Sequence, residues 1–329
     1  MNRRQLLQRA STCALASAGL ALGPEAWAQA SRMTRILVGF PAGGGTDVFA
    51  RALAQGLAPE LGQPSIVENK PGAGGVLASQ QFRQVAPDGN TLLMGSTSTQ
   101  VIAPLLYAKP PYQPSDFTPV AHVASVGIVL VAHPAAPFSN VAELVAYARQ
   151  HPGKLSYASG GNGVTNHLGM ELLKARTDTH LVHIPYRGSA PALNDVLGGQ
   201  VPLMFDSVAS SGAHIRAGKL KALGIAGPAR LSALPDVPTL SEAGAGVGLK
   251  GFDITGWVAL YGPPKMSPTT VFALQKATEH VLASPDVAQR FAAQGASPHF
   301  MDSAQLSAFE ASETQKWAQA VKHSGARLD

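Results

Sequence analysis

The sequence has little cysteine and little charge, and each shortage excludes a class of protein. Cys13 is the only cysteine among 329 residues, which excludes an intramolecular disulfide framework and a cysteine-based zinc site. Charged residues make up 14 % of the chain, whereas they make up roughly a quarter of an average domain. Lys and Arg form no cluster beyond the first ten residues, so the net charge of +5 does not predict binding to nucleic acid.

Enzyme motifs are missing as well. The chain contains neither the G-x-S-x-G turn of serine hydrolases nor the H-E-x-x-H zinc-binding helix. His180 and His183 lie on a predicted strand at a spacing that turns their side chains to opposite faces, so they cannot share a metal. Because no nucleophile–base pair is evident, we expect a protein that is not an enzyme, with no catalytic residue, no cofactor and no metal site.

Long hydrophobic runs are absent too, and the first thirty residues instead have the pattern of an export signal. Three arginines flank the start of an apolar stretch over 12–22, which is too short to span a bilayer core about 30 Å thick. Ala26-Trp27-Ala28 has the small-x-small pattern that precedes signal cleavage. We therefore expect a signal peptide over 1–28, cleavage after Ala28 and a periplasmic product.

The export route has two interpretations. The start, Asn2-Arg3-Arg4-Gln5-Leu6-Leu7, resembles a twin-arginine signal, and an ordinary secretory signal is the alternative. Cleavage would remove Cys13 with the signal. The remaining chain would have 22 Lys and Arg against 19 Asp and Glu, a net charge of +3.

Beyond this segment the chain repeats one unit: a buried strand, a glycine-rich turn and a helix. The first copy is a predicted strand over 34–40, a turn over 41–47 and a helix over 48–61. The second is a strand over 155–158, a turn over 159–165 and a helix over 166–175. Repeated strand–loop–helix order is typical of a mostly parallel sheet covered by helices, and two distant copies favour two α/β lobes.

The two glycine-rich turns are candidates for ligand binding. The first lacks the lysine of a phosphate-binding loop and the G-x-G-x-x-G spacing of a dinucleotide site. Such a turn still exposes backbone N–H groups at the positive end of a helix, a geometry that binds anions such as a carboxylate. A bare tight turn would explain a single copy. Two copies favour a ligand site, because ligands in open α/β sheets bind at the carboxyl ends of the strands.

Three single residues each have two interpretations. Asp206, at the end of a predicted strand over 201–206, either accepts a hydrogen bond from a ligand amine or hydroxyl or caps a turn. Trp257 either forms a wall of the cleft or fills the core. His167, in the second turn–helix unit, is interpreted as a capping or packing histidine, with a ligand contact as the alternative.

These motifs together resemble a known family, the substrate-binding proteins of tripartite tricarboxylate transporters, also called Bug receptors. The matching stretches follow one another along most of the chain: FPAGGGTD (40–47), VENKPGAGG (67–75), APDG (86–89), YASGGNG (157–163), IPYRGSAPA (184–192), GGQ (198–200), GKLKAL (218–223) and LPDVPTLSEAG (234–244). The resemblance implies an α/β, two-lobed periplasmic-binding-protein (Venus flytrap) fold, type II-like, in which each lobe is a mostly parallel sheet flanked by helices.

The resemblance also implies how the lobes are used. Lobe 1 would comprise 31–128 and 254–329, and lobe 2 would comprise 129–253. Loops 42–47 and 159–165 would hold a ligand carboxylate between the lobes, partly through ordered waters, while loop 96–101 would select the rest of the ligand. The candidate ligand-binding residues are Phe40, Ala42, Gly43, Gly44, Gly45, Thr46, Asp47, Ser96, Ser159, Gly161, Asn162, Gly163, Val164, Thr165, Asp206 and Trp257.

The expected function is capture of a small carboxylate, namely a dicarboxylate, an amino acid or an aromatic acid, for uptake or sensing. The expected partners besides this ligand are the membrane permease subunits of a tripartite transporter or a sensor protein, and the receptor is expected to be a monomer. A secreted enzyme on the same scaffold and a signalling receptor without transport are the alternatives. The sequence departs from the family pattern at Val164, where Ser or Thr is commoner, and over 260–263.

Overall fold

Two β-sheets flanked by helices form the fold of the part of the chain that the computed structural model describes, residues 33–324 and 326–327. The predicted signal peptide lies outside these residues. In chain order the strands are β1 (Thr34–Val38), β2 (Ser65–Asn69), β3 (Thr91–Ser96), β4 (Thr118–Val126), β5 (Ile128–Ala132), β6 (Ser156–Ser159), β7 (Val182–Pro185), β8 (Leu203–Ser207), β9 (Lys221–Ile225), β10 (Gly256–Gly262) and β11 (Ala296–Met301).

The helices lie mainly between consecutive strands. They are α1 (Gly45–Leu61), α2 (Val76–Phe82), α3 (Ala103–Leu106), α4 (Val141–Gln150), α5 (Thr165–Thr177), α6 (Ser189–Leu197), α7 (Val208–Arg216), α8 (Leu240–Ala243), α9 (Pro268–Ala283), α10 (Pro285–Ala293) and α11 (Ser303–Ser324). A π-helical segment spans Thr97–Ile102, and 3-10 turns lie at Ala73–Gly75, Pro114–Asp116 and Ala245–Val247. Across residues 33–324, no helix combines the length and apolar character needed to cross a bilayer.

Both sheets are mixed. The first has the order β11-β4-β10-β3-β1-β2 and the second the order β7-β6-β8-β5-β9. In the first sheet β10 and β11 run against the other strands, and in the second sheet β5 does. The predicted α/β class is therefore confirmed, and most strands of each sheet share one direction. Each sheet is nevertheless mixed rather than purely parallel, because β5 and β10, the strands that enter each sheet from the other, insert antiparallel to their neighbours.

The chain passes from the first sheet to the second at a single glycine. Gly127 separates β4 from β5, and a side chain there would meet the carbonyl oxygen of Gly295 at 2.6 Å. The chain returns to the first sheet between β9 and β10. This double crossing builds the first sheet from both ends of the described chain and the second sheet from its middle.

The core beneath the first sheet explains why α1 forms where it does. Phe49, Leu53 and Leu57 recur at helical spacing and are all fully buried. The ring of Phe49 packs edge-on against Phe291 of α10, with the ring centroids 5.2 Å apart. Burial of each such side chain contributes roughly 1.5–3 kcal/mol, so this face fixes α1 against the sheet and with it the position of the preceding glycine turn.

One local prediction is wrong, and one strand was not predicted. The Ser/Thr-rich stretch after β3 was expected to be a loop, but Thr97–Ile102 is π-helical and begins with a capping box between Ser96 and Thr99. Strand β11, which contains Pro298, has no counterpart among the strands predicted from the sequence. Proline is tolerated there because β11 is the edge strand of its sheet.

Candidate functional site

A cavity of about 100 Å³ lies between residues of the two sheets. Its lining comes from the ends of β3, β8 and β10, from the segments after β1 and β6, and from the β4–β5 crossing. None of the lining residues is Lys, Arg or His: they are Phe40, Pro41, Gly44, Gly45, Thr46, Ser96, Thr97, Ser98, Val126, Ile128, Gly160, Val164, Thr165, Asn166, Ser189, Asp206, Ser207, Gly256, Trp257 and Val258. An anion in this cavity would therefore meet backbone N–H groups, hydroxyls and an amide rather than a cationic side chain.

Two helix N-termini, one from each sheet, reach this cavity with the same backbone conformation. Gly44, the N-cap of α1, has φ −78° and ψ 164°, and Val164, the N-cap of α5, has φ −78° and ψ 163°. Neither N-cap has a side-chain hydrogen bond, whereas α4, α7, α8 and α9 are capped by Asn140, Ser207, Thr239 and Ser267. The first N–H groups of a helix lack intrahelical acceptors and carry its positive dipole end, so both ends suit an anion.

The first turn is held by a buried carboxylate behind it. Asp47, only 2 % exposed, accepts hydrogen bonds from the Gly43 backbone N–H at 2.9 Å, from Asn69 Nδ2 at 2.8 Å and from Arg51 Nε at 2.9 Å. Burial alone would raise the pKa of this carboxyl, but the hydrogen bonds with Arg51, Gly43 and Asn69 outweigh it and hold the pKa below its ordinary value. Asp47 thus positions the turn and does not line the cavity.

The second turn is held by uncharged groups. Gly163 N–H donates to His167 Nδ1 at 3.0 Å, which confirms the capping interpretation of His167. Ser159 Oγ donates to the Gly161 carbonyl at 3.0 Å and accepts from the Gly161 N–H at 3.1 Å. It also lies 2.6 Å from His183 Nε2.

The two histidines behind this turn are stacked, with ring centroids 4.0 Å apart. Burial lowers the pKa of both imidazoles. The pKa of His183 falls to about 4, and the neighbouring His167 contributes to that shift. Both rings are therefore neutral near pH 7, and a neutral His167 can accept the hydrogen bond from Gly163.

The sheets contact each other directly beside the cavity. Ser98 Oγ accepts a hydrogen bond from the Thr165 N–H at 3.0 Å, and the two hydroxyls lie 2.9 Å apart. At Gly45, a Cβ atom would lie 2.4 Å from Ser207 Oγ and 2.9 Å from Ser207 Cβ. The first glycine turn therefore faces β8 across a gap too narrow for a methyl group, which is a closed arrangement.

Asp206 is the penultimate residue of β8; it lines the cavity and is only 1 % exposed. Ser210 Oγ donates to its Oδ2 at 2.5 Å, while Oδ1 has no hydrogen-bond partner among the described residues. Burial raises the pKa of this carboxyl to about 7, and the hydrogen bonds from Ser210 and Ser207 only partly offset the effect.

Trp257 combines the two roles considered for it. Trp257 lines the cavity and is 2 % exposed. Its indole Nε1 donates to Glu313 Oε2 at 3.1 Å, and its backbone N–H donates to Thr97 Oγ1 at 2.9 Å. These bonds fix the cavity wall to α11 on one side and to the segment after β3 on the other.

The structure brings together only part of the predicted site. The predicted residues that line the cavity are Phe40, Gly44, Gly45, Thr46, Ser96, Val164, Thr165, Asp206 and Trp257. Those that do not line it are Ala42, Gly43, Asp47, Ser159, Gly161, Asn162 and Gly163. Ala42, Gly43 and Asn162 are exposed at the turns, and Gly161 and Asn162 border a neighbouring cavity instead. Their ligand contacts stay predictions.

Other lining residues had no individual prediction. They are Pro41, Thr97, Ser98, Val126, Ile128, Gly160, Asn166, Ser189, Ser207, Gly256 and Val258. Thr97 and Ser98 lie in the loop expected to select the ligand, and Ser207 follows the predicted acid, so adjacency was an available signal. No sequence signal indicates that the β4–β5 crossing supplies Val126 and Ile128.

Comparisons with known proteins point to one family. The model of the tripartite tricarboxylate transporter family receptor matches residues 49–326. Protein BugT of Bordetella pertussis is 37 % identical over 316 residues, covering 95 % of this chain and 96 % of that protein. Two solved structures are similar over almost their whole length. Rpa4515 of R. palustris with adipate has a TM-score of 0.87 at 31 % identity, covering 91 % of this chain and 99 % of that one. MatC of Rhodopseudomonas palustris with bound malate has a TM-score of 0.82 at 32 % identity, covering 88 % and 99 %.

Proposed function

Because the chain belongs to the tripartite tricarboxylate transporter receptor family, we propose that it captures a small carboxylate in the periplasm by closing two lobes over it. Lobe 1 would comprise 31–128 and 254–329, and lobe 2 would comprise 129–253. Export would follow cleavage of the signal peptide after Ala28. The closed receptor would then deliver its ligand to membrane permease subunits for uptake, or present itself to a sensor protein.

One observation carries this proposal: two uncapped helix N-termini, one from each sheet, meet in a single cavity whose lining has no cationic side chain. The N–H groups of Gly45 and Thr46 lie in the first turn of α1, where no intrahelical acceptor exists. A carboxylate bound there would accept charge-assisted hydrogen bonds, which are shorter and stronger than neutral ones. Each helix dipole adds about 0.3–1 kcal/mol in favour of the anion.

The second lobe would complete the contact on closing. The Thr165 N–H of α5 is held by Ser98 Oγ in the described arrangement. A ligand carboxylate oxygen could accept from the same N–H group or from that of Asn166, next in the first turn of α5. Bonds from both sheets to one ligand would stabilise the closed form over the open form by their differential affinity. Related proteins solved with adipate and with malate, both carboxylates, support this ligand class.

A thermal-shift screen of the protein cleaved after Ala28 tests the proposal. Organic acids and amino acids would be compared with their uncharged amides at equal concentration. An acid present at a hundred times its Kd should stabilise the fold by about 2.7 kcal/mol, and its amide should not. If no acid of the panel raises the melting temperature, the proposed function is wrong.

A further inference from the structure

The cavity contains one polar atom that the capture of a carboxylate leaves unexplained. Oδ1 of Asp206 has no hydrogen-bond partner among the described residues, although this residue lines the cavity and is 1 % exposed. No other lining residue has a buried side-chain oxygen or nitrogen without a partner among the described residues. A buried polar atom without a partner is costly, so an unpaired one beside a ligand cavity calls for a donor.

The protein does not supply that donor from its other lining side chains. Thr97 Oγ1 accepts from Trp257, Ser98 pairs with Thr165, and the Asn166 amide donates to Ser189 Oγ at 3.3 Å. Ser207 Oγ lies 3.0 Å from Ser210 Oγ, which already donates to the other oxygen of Asp206. No donor of these side chains lies within hydrogen-bond distance of Asp206 Oδ1, and the lining holds no Lys, Arg or His, so a ligand in the cavity is placed to supply the missing donor.

The acceptor Asp206 and the first residues of α1, Gly45 and Thr46, line the same cavity. Ser207, which follows Asp206, is so near α1 that a Cβ atom on Gly45 would overlap it at 2.4 Å. The cavity of about 100 Å³ is smaller than an apolar cavity of about 150 Å³ that holds benzene. A ligand that reaches both groups in this closed arrangement is therefore short, and its donor lies near its carboxylate.

Resting on the proposed function, we propose that the ligand is a short carboxylic acid with a hydroxyl or ammonium group next to the carboxylate, and that this group donates to Asp206 Oδ1. The carboxylate binds at the N-terminus of α1, and the donor binds at the end of β8. Asp206 then determines specificity. It raises the affinity for an acid that carries a donor, and it lowers the affinity for an acid that presents only methylene groups or a second carboxylate at this position.

Matched pairs of acids test this by calorimetric titration of the cleaved protein at pH 7.5. The pairs are lactate with propionate, alanine with propionate, and malate with succinate, so that each pair differs by one donor. Wild-type protein should bind the donor-bearing member at least tenfold more tightly in at least one pair, because a site built for a donor rejects the analogue that lacks it. The lactate and alanine arms distinguish a hydroxyl from an ammonium ligand.

The variant Asp206→Ala should reduce that preference to within twofold. The stability of its fold should change little, because removal of the unpaired acceptor Oδ1 offsets the loss of the hydrogen bond from Ser210 to Oδ2. Asp206→Asn is the second variant, which keeps the shape of the side chain and removes its charge. Because the donor of alanine is a charged ammonium group, the affinity for alanine should fall more than the affinity for lactate. Asp253→Asn, an acid outside the cavity lining, is the matched control and should keep the wild-type preference.

Two failures are distinguishable. If acids bind but propionate and succinate bind as tightly as their donor-bearing partners, the inference is wrong while the proposed function stands. A preference that survives in both Asp206 variants also overturns it. If no acid of any pair binds while another acid of the thermal-shift panel does, the inference is wrong and the proposed function stands; if no acid of either set binds, both fail.

Discussion

The two glycine turns have the same backbone structure, but a charged acceptor holds the first and a neutral acceptor holds the second. Gly43 and Gly163 both have positive φ, 83° and 77°, and each donates its N–H to a side chain four residues later. In the first sheet that acceptor is the carboxylate of Asp47, and in the second it is the imidazole of His167. Both acceptors occupy the third helical position behind an uncapped N-terminus that faces the cavity.

This difference predicts which turn keeps its hydrogen bonds at low pH. Asp47 has a lowered pKa and stays ionised well below neutral pH. His167 accepts through Nδ1 only while the imidazole is neutral, and the stacked His183 at 4.0 Å makes a second proton nearby unfavourable. The first turn should therefore be the stronger of the two, and the second should be the one that responds to pH.

The largest expected effect comes from breaking the first turn. Asp47→Ala removes the acceptor of three hydrogen bonds, so the free energy of unfolding should fall by about 3 kcal/mol, since hydrogen bonds to charged groups contribute about 1.5–3 kcal/mol each. Urea denaturation of the variant and the wild type measures this difference in the free energy of unfolding. The control Arg51→Ala removes only the half-exposed partner, 52 % accessible, and should cost less than about 1 kcal/mol. Equal losses for the two variants would mean that Asp47 does not hold the turn.

The next effect concerns the pH response of the second turn. The pKa of His183 is about 4 in the folded protein against an ordinary 6.5. Its contribution to stability is therefore complete above pH 6.5 and is lost as the pH falls towards 4. Between pH 7 and pH 5 the loss should be about 2 kcal/mol. The neighbouring charged groups are Glu171, which opposes the shift, and Lys174, which adds to it.

The variant His183→Gln isolates this contribution, since Asp206 and Glu310 have raised pKa values and change stability in the opposite direction over the same range. Compared with wild type by urea denaturation at pH 7 and pH 5, the variant should lose about 2 kcal/mol less on acidification. Parallel pH profiles for the two proteins would contradict the assignment of acid sensitivity to the second turn.

Sequence patterns predicted the units but not the direction of every side chain. The strand–turn–helix order predicted helices that begin at 48 and 166, and in the structure they begin at Gly45 and Thr165. Asp206 was identified by its place at a strand end. Asp47 was predicted to contact ligand because the family resemblance implies a ligand-binding loop over 42–47, and this contact stays a prediction. The sequence did not predict that its carboxylate also accepts from the Gly43 N–H four positions earlier.

Contacts between the two sheets could not be predicted from the sequence either. Ser98 and Thr165 are 67 residues apart and meet only because two separate sheets face each other. The β4–β5 crossing supplies Val126 and Ile128 to the cavity for the same reason. Such pairings depend on the relative placement of elements whose local patterns carry no information about one another.

The most direct test of two-sided capture is the affinity of two alanine variants for the acid that stabilises the wild-type protein most. Gly246→Ala is the control, because Gly246 lies outside the cavity lining and a Cβ there would meet no atom within 4 Å, whereas the Cβ of Gly45→Ala would overlap Ser207 of the opposite sheet. Overpacking of this kind costs about 1–3 kcal/mol. Calorimetry should therefore give an unchanged Kd for Gly246→Ala and a Kd raised about tenfold or more for Gly45→Ala. Equal Kd values for both variants and wild type would contradict closure of the two sheets on the ligand.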